Sequence, residues 1–334
     1  MRRLALASLL PLAACHAVVV VAELDDLSSG TAATGTSDAP TSDPATTGDA
    51  CELPPTGACD DLDPLRSIGL ACNDAANVEG AEYLSPEPGA LRSTRQFGNA
   101  TWNPRSGELL LALSTGFLPA PDPNLRIAVD GNTATPGTAN GNPDATAPPD
   151  PVDTGAIAPH WPIDRSHDLV ALRFLVTIPP GVHGFALDLA FLSAEYPQRS
   201  DLPLGDSLLL WVSGEAFTGD VASLGTPVTV PALRAAFAGG ELVGDHPALI
   251  STGFGGLDPE PCDYGWISYP QCPRGGALGW STLRGAVSPG DRITVVIALA
   301  DLNDAQRDSV VLLDHWRWTC DACDADACGL APAT

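Results

Sequence analysis

The sequence predicts a mostly β protein: a β-sandwich or jelly-roll-like single domain with few short helices, preceded by a signal segment and a disordered linker. Several segments alternate apolar and polar residues with a period of two, which is the pattern of half-buried strands. Glycine and proline contribute 33 and 32 of the 334 residues, a content typical of chains with many turns. The hydrophobic fraction of 44% over this length allows a large buried core.

The elements are predicted in the following order. Residues 64–72 favour a short helix at the start of the domain, and residues 231–238, with proline first and two glycines behind, favour a second. Clear period-two alternation predicts three half-buried strands, at residues 170–178, 185–191 and 293–299. Shorter or continuous apolar runs predict three more strands, of which the last two are expected to be buried on both faces: residues 109–114, 207–212 and 309–313.

The N-terminus predicts export. Two arginines and a short apolar run precede Leu12-Ala13-Ala14-Cys15, which has the form of a signal peptide. The motif Leu12-Ala13-Ala14-Cys15 resembles the lipobox of bacterial lipoproteins, in which the cysteine receives a diacylglyceryl group. This resemblance implies a signal peptide over residues 1–14, lipidation of Cys15, and a membrane partner reached through the N-terminal lipid at the outer membrane or cell surface.

Two alternatives to lipidation remain open at this point. The apolar run continues to Ala22, where an ordinary signal peptidase could cut and release a secreted protein. An uncleaved anchor is the other alternative, although His16 interrupts the segment and about 20 apolar residues are needed to span a bilayer.

Residues 15–50 are predicted to form the lipidated N-terminus and a disordered linker. From Ser28 the segment is built almost entirely of small, polar and acidic residues, which have too little to bury to form a core. The folded domain is expected over residues 51–330. A second polar stretch, residues 118–160, predicts a long loop that is either functional or mobile.

Eight cysteines remain besides Cys15, and they predict disulfides because an exported protein meets an oxidising environment. They form clusters of three, two and three: Cys51, Cys59 and Cys72; Cys262 and Cys272; Cys320, Cys323 and Cys328. Since three is odd, at least one bridge must join different clusters, and we expect it to join the first and the last. A metal site at Cys320, Cys323 and Cys328 is the alternative.

The charge balance restricts the partners. The chain has 41 acidic and 16 basic residues and a formal charge of −25. Such a surface repels phosphate backbones, so we expect no nucleic-acid partner. An acidic excess is compatible with binding of divalent cations, and solubility alone also explains it.

Acidic residues stand at the ends of predicted strands. Glu195 follows one strand and Asp206 precedes the next, while Asp301 and Asp308 bracket a later loop that contains Asn303. If the first two strands are antiparallel neighbours, Glu195 and Asp206 lie at the same end of the sandwich. Calcium takes 6–8 oxygen ligands of this kind, so these five residues are a candidate calcium site. The alternative is that Asp and Asn simply favour turns.

An aromatic loop is the candidate ligand surface. Tyr264, Trp266 and Tyr269 lie between Cys262 and Cys272, and aromatic side chains on a disulfide-pinned loop make rigid contacts with a surface glycan or a protein ligand.

The sequence favours a non-catalytic binding or adhesion-type module. It contains no Gly-x-Ser-x-Gly elbow, no His-Glu-x-x-His and no glycine-rich phosphate loop, so we expect no enzymatic activity. Two alternatives remain: an extracellular polysaccharide hydrolase that uses Glu195 with a second acid, and a purely structural envelope lipoprotein.

Two segments resemble the choice-of-anchor L domain family. The first is Phe191-Leu192-Ser193-Ala194-Glu195-Tyr196-Pro197 with Gly205-Asp206-Ser207 behind it, and the second runs from Pro289-Gly290-Asp291 to Asp308-Ser309 and Asp314. The resemblance spans roughly residues 60–320, and Gly205 replaces the asparagine that is usual in the family. It implies a bacterial surface protein, and family members are fixed to the cell by very different anchors.

Overall fold

The structure is a computed structural model that describes residues 51, 53–54, 61–72, 78–83, 89–129, 157, 166–197, 205–224, 228–236, 240–263, 268–302, 307–324 and 327–332. All of them belong to one compact unit, Thr47–Thr334. The predicted signal peptide, Cys15, the linker and most of the predicted long loop lie outside the described residues. Within the described ranges, no helix combines the length and the apolar character needed to cross a bilayer.

The described part of the chain is mostly β, which confirms the predicted fold class. Its two α-helices, both at predicted positions, are α1 (Pro64–Ser67) and α2 (Val230–Ala236). Its strands are β1 (Val78–Tyr83), β2 (Leu91–Thr94), β3 (Gln96–Phe97), β4 (Leu110–Ser114), β5 (Arg126–Ile127), β6 (Ser166–Thr177), β7 (Gly184–Ser193), β8 (Ser207–Ser213), β9 (Thr218–Asp220), β10 (Val228–Thr229), β11 (Glu241–Val243), β12 (Leu257–Asp258), β13 (Cys262–Asp263), β14 (Ser268–Tyr269), β15 (Cys272–Pro273), β16 (Gly276–Ala286), β17 (Arg292–Leu302), β18 (Ser309–Thr319) and β19 (Gly329–Pro332).

Two antiparallel sheets form the sandwich. The first sheet has the strand order β1-β6-β17-β8-β10, with β9 paired to β8. The second has the order β11-β16-β7-β18-β4-β2, with β19 paired to β16. The small pairs β12–β15 and β13–β14 are antiparallel, and β3–β5 is parallel. The chain therefore passes between the two large sheets several times, including from β7 to β8 and from β17 to β18.

The main core lies between the two sheets. The alternating side chains of β6, β7 and β17 point into it, as their period-two pattern predicts. Trp316 stacks on Phe185 with their ring centroids 4.6 Å apart, and such an aromatic pair adds about 0.5–1.5 kcal/mol beyond the area that it buries.

The outer faces of both sheets are also covered. Leu209 and Trp211 of β8 belong to a cluster on the outside of the first sheet. Ala190 and Leu192 of β7 belong to a cluster on the outside of the second sheet, which includes the fully buried Trp102. The continuous apolar runs of β8 and β18 are therefore buried on both sides, as predicted.

Disulfides join the two ends of the domain. Cys51 is bonded to Cys320, which is the expected link between the first and last cysteine clusters. The other described bridges are Cys262–Cys272 and Cys323–Cys328. Cys72 is disulfide-bonded as well, and Cys59 lies outside the described residues. Because Cys320, Cys323 and Cys328 are all in bridges, the alternative of a metal site at these three residues is wrong.

Candidate functional site

Two crossings between the sheets bring acidic residues to one end of the sandwich. Glu195 and Asp206 lie on the crossing from β7 in the second sheet to β8 in the first. Asp301 and Asp308 lie at the ends of the crossing back, from β17 to β18. The premise that β7 and β8 are antiparallel neighbours is therefore wrong, since these strands belong to opposite sheets.

The strand register places both crossings at the same end. In the second sheet, Ser193 at the end of β7 pairs with Ser309 at the start of β18. In the first sheet, Ser207 at the start of β8 pairs with Ala300 near the end of β17. The acidic residues flank these pairs directly. We call Glu195, Asp206, Asp301 and Asp308 the carboxylate cluster.

The carboxylate cluster is almost completely buried. The exposed fractions of Glu195, Asp206, Asp301 and Asp308 are 2%, 0%, 2% and 7%. Oε2 of Glu195 accepts a hydrogen bond of 2.9 Å from the backbone amide of Asp206. Burial of these carboxyl groups is costly, because charged groups lose their hydration.

The cost of burying a charged carboxyl group is greatest at Asp206. Both of its carboxylate oxygens are buried, and neither forms a hydrogen bond of good geometry in the described structure. Burial, followed by the negative charges of Asp301 and Glu195, raises the pKa of Asp206 well above its ordinary value, and the nearby Ser309 hydroxyl acts in the opposite direction. A carboxyl group in this position must either keep its proton or acquire a cation.

Two glycines leave the space that the carboxylate groups of Glu195 and Asp308 occupy. A Cβ atom on Gly205 would lie 2.5 Å from Oε2 of Glu195, and a Cβ atom on Gly116 would lie 2.1 Å from Oδ2 of Asp308. The glycine at position 205 therefore has a steric reason.

The predicted calcium ligands are thus partly brought together. Asp206 interacts electrostatically with both Glu195 and Asp301, whereas Asn303 lies outside the described residues. No three His, Cys, Asp or Glu side chains in the described ranges are already arranged as a metal site. The cluster therefore offers the ligand chemistry for calcium without a preformed coordination shell.

The aromatic hairpin is formed by β13 and β14 and closed by the Cys262–Cys272 bridge. Of the predicted ligand contacts, Tyr264 and Trp266 lie outside the described residues. Tyr269 is partly buried, and its pKa is raised by burial and by the charge of Glu241.

Tyr196 connects the hairpin region to the carboxylate cluster. It follows Glu195 directly in the chain and is 6% exposed. Its pKa is raised by burial, by a hydrogen bond with Glu241, and by the charges of Glu241 and Tyr269. The side chains of Tyr196, Glu241 and Tyr269 therefore interact with one another, and the backbone joins Tyr196 directly to Glu195.

A second polar site, which the sequence patterns did not reveal, lies on the outer face of the second sheet. Asp188 is 2% exposed there. It accepts hydrogen bonds from Oγ1 of Thr282 at 2.8 Å and from Nη1 of Arg317 at 3.0 Å. Nδ1 of His315 lies 3.1 Å away, and Nε of Arg105 lies 3.7 Å away. Burial alone would raise the pKa of Asp188, but the hydrogen bonds with Thr282, His315 and Arg317 and the charge of Arg317 hold it below its ordinary value.

Asp314 pairs with Asp188 across the two strands. It accepts hydrogen bonds from the backbone amides of Arg105, Ser106 and His315. Burial nevertheless raises its pKa to about 7, and the charge of Asp188 acts in the same direction. The signal in the sequence was the position of Asp188 and Asp314 in or directly after runs of apolar residues.

A separate polar cleft of about 710 Å³ is lined by residues 95–96, by the loop that follows the 3-10 turn at Ala100–Trp102, and by residues 123–126. Its walls include Arg95, Glu108 and Arg126. Arg95 and Glu108 form an ion pair across it.

Comparisons with known proteins assign no family. No protein family model matches the chain, and no curated protein matches it. One solved structure that matches is the carbohydrate-binding module TmCBM61 in complex with beta-1,4-galactotriose; it is 8% identical, and the match covers 74% of this chain and 88% of that chain with a TM-score of 0.25. A similarity this low carries no argument about ligand or ancestry, so the function must be argued from the site itself.

Proposed function

We propose that this chain is an exported, lipid-anchored surface protein whose sandwich domain is a non-catalytic, adhesion-type binding module stabilised by calcium. The observation that carries the proposal is Asp206, a fully buried carboxyl group with two acidic neighbours, whose oxygens form no hydrogen bond of good geometry in the described structure. A bound divalent cation offsets this arrangement directly.

Calcium fits the chemistry of the carboxylate cluster. Its preferred ligands are carboxylate, amide and carbonyl oxygens in flexible geometry. Asp206, Glu195 and Asp301 would supply carboxylate oxygens, and Asp308 and the predicted ligand Asn303 lie on the same crossing as Asp301. The ion would draw these oxygens together and tie the β7–β8 crossing to the β17–β18 crossing.

The ligand surface is proposed at the neighbouring hairpin. Tyr269, together with the predicted contacts Tyr264 and Trp266, would meet a surface glycan or a protein ligand. Because Tyr196 follows Glu195 and interacts with Glu241 and Tyr269, a cation that fixes Glu195 also fixes the base of the hairpin. Calcium would therefore organise the ligand surface without touching the ligand.

Burial supports a non-catalytic role over the hydrolase alternative. Glu195 and Asp206 are 2% and 0% exposed, and a polysaccharide chain has to reach both catalytic carboxyl groups of a glycosidase.

The proposed lipid anchor at Cys15 and the linker rest on the lipobox-like N-terminus, and the resemblance to choice-of-anchor L proteins supports a surface location.

Thermal unfolding with and without calcium tests the proposal. We expect calcium to raise the midpoint of the wild-type domain and a chelator to lower it, and we expect Asp206→Asn to remove this response. Asp220→Asn is the matched control, because Asp220 is a partly buried acid outside the carboxylate cluster whose pKa is also raised by burial, and this variant should respond to calcium as the wild type does. A wild-type midpoint that calcium leaves unchanged would contradict the calcium part of the proposal.

Binding is tested separately on isolated cell envelopes. The calcium-loaded protein should bind them, and Tyr269→Ala should weaken this binding while the melting midpoint stays close to that of the wild type. Equal binding by the variant would exclude the hairpin as the ligand surface.

A further inference from the structure

Two neighbouring irregularities distinguish the outer face of the second sheet. The register of β16 against β7 shifts between Leu278 and Ser281, and the register of β18 against β7 shifts between Asp314 and Arg317. Both bulges lie beside Asp188, which pairs with Thr282 on one side and with Asp314 on the other. Bulges redirect side chains and are frequent beside functional sites.

The bulges carry an aromatic and a titratable side chain. Trp280 lies in the β16 bulge and packs on the apolar cluster of the outer face, with its ring centroid 6.4 Å from that of the buried Trp102. Trp280 remains partly exposed. His315 lies in the β18 bulge with a φ of 56°, a left-handed conformation that costs a non-glycine residue energy and is retained where the surroundings enforce it.

Three basic side chains surround the buried Asp188. The side chains of Arg105, His315 and Arg317 are 40%, 32% and 25% exposed. Asp188 holds them through Nε of Arg105, Nδ1 of His315 and Nη1 of Arg317. Each guanidinium has five N–H donors, so further donors are available to an acceptor outside the protein.

The loop that carries Arg105 is held to β18 by backbone hydrogen bonds and does not need the Arg105 side chain for this. The backbone amides of Arg105 and Ser106 both donate to Oδ2 of Asp314. Loop and strand are therefore fixed to each other before any ligand arrives, which reduces the entropy that binding has to overcome.

We propose that Trp280, Arg105, His315 and Arg317 form a binding site for a sugar that carries a carboxylate, such as a hexuronic acid. The indole of Trp280 packs against the sugar ring, and the two guanidinium groups bind the carboxylate, whose planar geometry they match. Asp188 is the positioning residue that holds the cations. This site goes beyond the proposed function, which places ligand contacts at the hairpin around Tyr269.

The negative charge around this site favours a carboxylate ligand over a phosphate ligand. Asp188 and Asp314 lie beneath the cations, and the whole chain has a formal charge of −25. A singly charged group meets less repulsion than a doubly charged one in this surrounding. The affinity is expected to fall with added salt, because the cations are partly exposed.

Calorimetric titration with a galacturonic acid trimer and with its methyl ester tests the proposal. The two probes have the same rings and differ in charge. We expect the acid to bind and the ester to bind at least about tenfold more weakly, which corresponds to the loss of one charge-assisted hydrogen bond. No binding of the acid by the wild type, or equal binding of acid and ester, would overturn the proposal.

Substitutions at Trp280 and Arg105 test whether the acid binds at the proposed site. Trp280→Ala and Arg105→Gln should each weaken binding of the acid about tenfold or more. Arg105→Gln keeps the backbone hydrogen bonds to Asp314, so it reports on binding even if Trp280→Ala perturbs the fold.

Arg126→Gln, in the polar cleft, and Tyr269→Ala, in the hairpin, are the controls and should bind as the wild type does. A loss in Arg126→Gln would place the ligand in the cleft, and a loss in Tyr269→Ala would place it at the hairpin. Either result would overturn this site, whereas only the second would support the hairpin of the proposed function.

Discussion

The backbone amide of Asp206 donates a hydrogen bond of 2.9 Å to Oε2 of Glu195, which connects the beginning and the end of the crossing between the two sheets. This contact depends on the missing side chain at position 205, where a Cβ atom would lie 2.5 Å from the same oxygen and 3.3 Å from Cδ of Pro231.

Gly205→Ala should therefore destabilise the domain. Because Glu195 and Pro231 both have to move, we expect a loss of about 1–3 kcal/mol in the free energy of unfolding, measured by chemical denaturation. Gly279→Ala is the matched control, since no atom lies within 4 Å of a Cβ at that position. Equal stability of the two variants would show that the crossing adapts without cost.

Asp220 is expected to make the stability of the domain depend on pH. Oδ1 accepts hydrogen bonds from the amides of Leu210 and Ala222, at 3.1 and 3.0 Å, while Oδ2 is buried without a hydrogen-bond partner in the described structure. Burial raises the pKa of Asp220 from 3.8 to about 7. The folded state therefore keeps a proton that the unfolded state loses, so this residue's contribution to stability falls as the pH rises from about 4 to 7 and is then constant.

Asp220→Asn keeps the acceptor Oδ1 and cannot ionise. Relative to the wild type, the variant should gain stability as the pH rises from 5 to 8. Melting midpoints of both proteins across this range measure the difference, which cancels the contributions of the other buried acids. Parallel midpoints at all pH values would mean that Asp220 titrates normally in the fold.

The strands that could be predicted are those whose signal is local. Alternation identifies β6, β7 and β17, because each has one face on the core between the sheets. The 11-residue strand β16 was missed. Glycines at positions 276, 279 and 285 weaken its apolar pattern, and the bulge between Leu278 and Ser281 breaks its period of two.

The candidate site shows the same limit. The acidic residues could be selected because they stand at strand ends, and three of them do come together. The route by which they meet could not be predicted, since it depends on β7 and β8 belonging to different sheets, a matter of long-range pairing. The site around Asp188 could not be recognised, because it depends on partners from β16, β18 and the loop at Arg105.

Asp188 is expected to stabilise the outer face of the second sheet. Asp188→Asn removes the negative charge that Arg317, His315 and Arg105 share. We expect a loss of about 1–3 kcal/mol, below the value for a fully buried ion pair because the cations are partly exposed. Since the pKa of Asp188 is lowered, its stabilisation is present above its ordinary pKa and is lost as the pH falls below it.

Glu82→Gln is the control for Asp188→Asn. Glu82 accepts a hydrogen bond of 2.7 Å from Arg173, but its side chain is 50% exposed. Surface ion pairs contribute little, so this variant should lose less than about 1 kcal/mol. If both variants lost the same small amount in denaturant titrations at pH 7, Asp188 would have no special structural role.

The bridge Cys51–Cys320 should contribute more to stability than Cys323–Cys328, because the two close loops of very different length. The sequence separations are 269 and 5 residues. Chain entropy alone predicts about 5 kcal/mol for the first bridge and about 2 kcal/mol for the second. Replacing both cysteines of each bridge with serine, in two separate variants, allows the comparison by thermal unfolding under oxidising conditions. A larger drop in the midpoint for the short bridge would mean that local strain or packing at the C-terminal turn, and not closure of the domain, determines the effect of these disulfides.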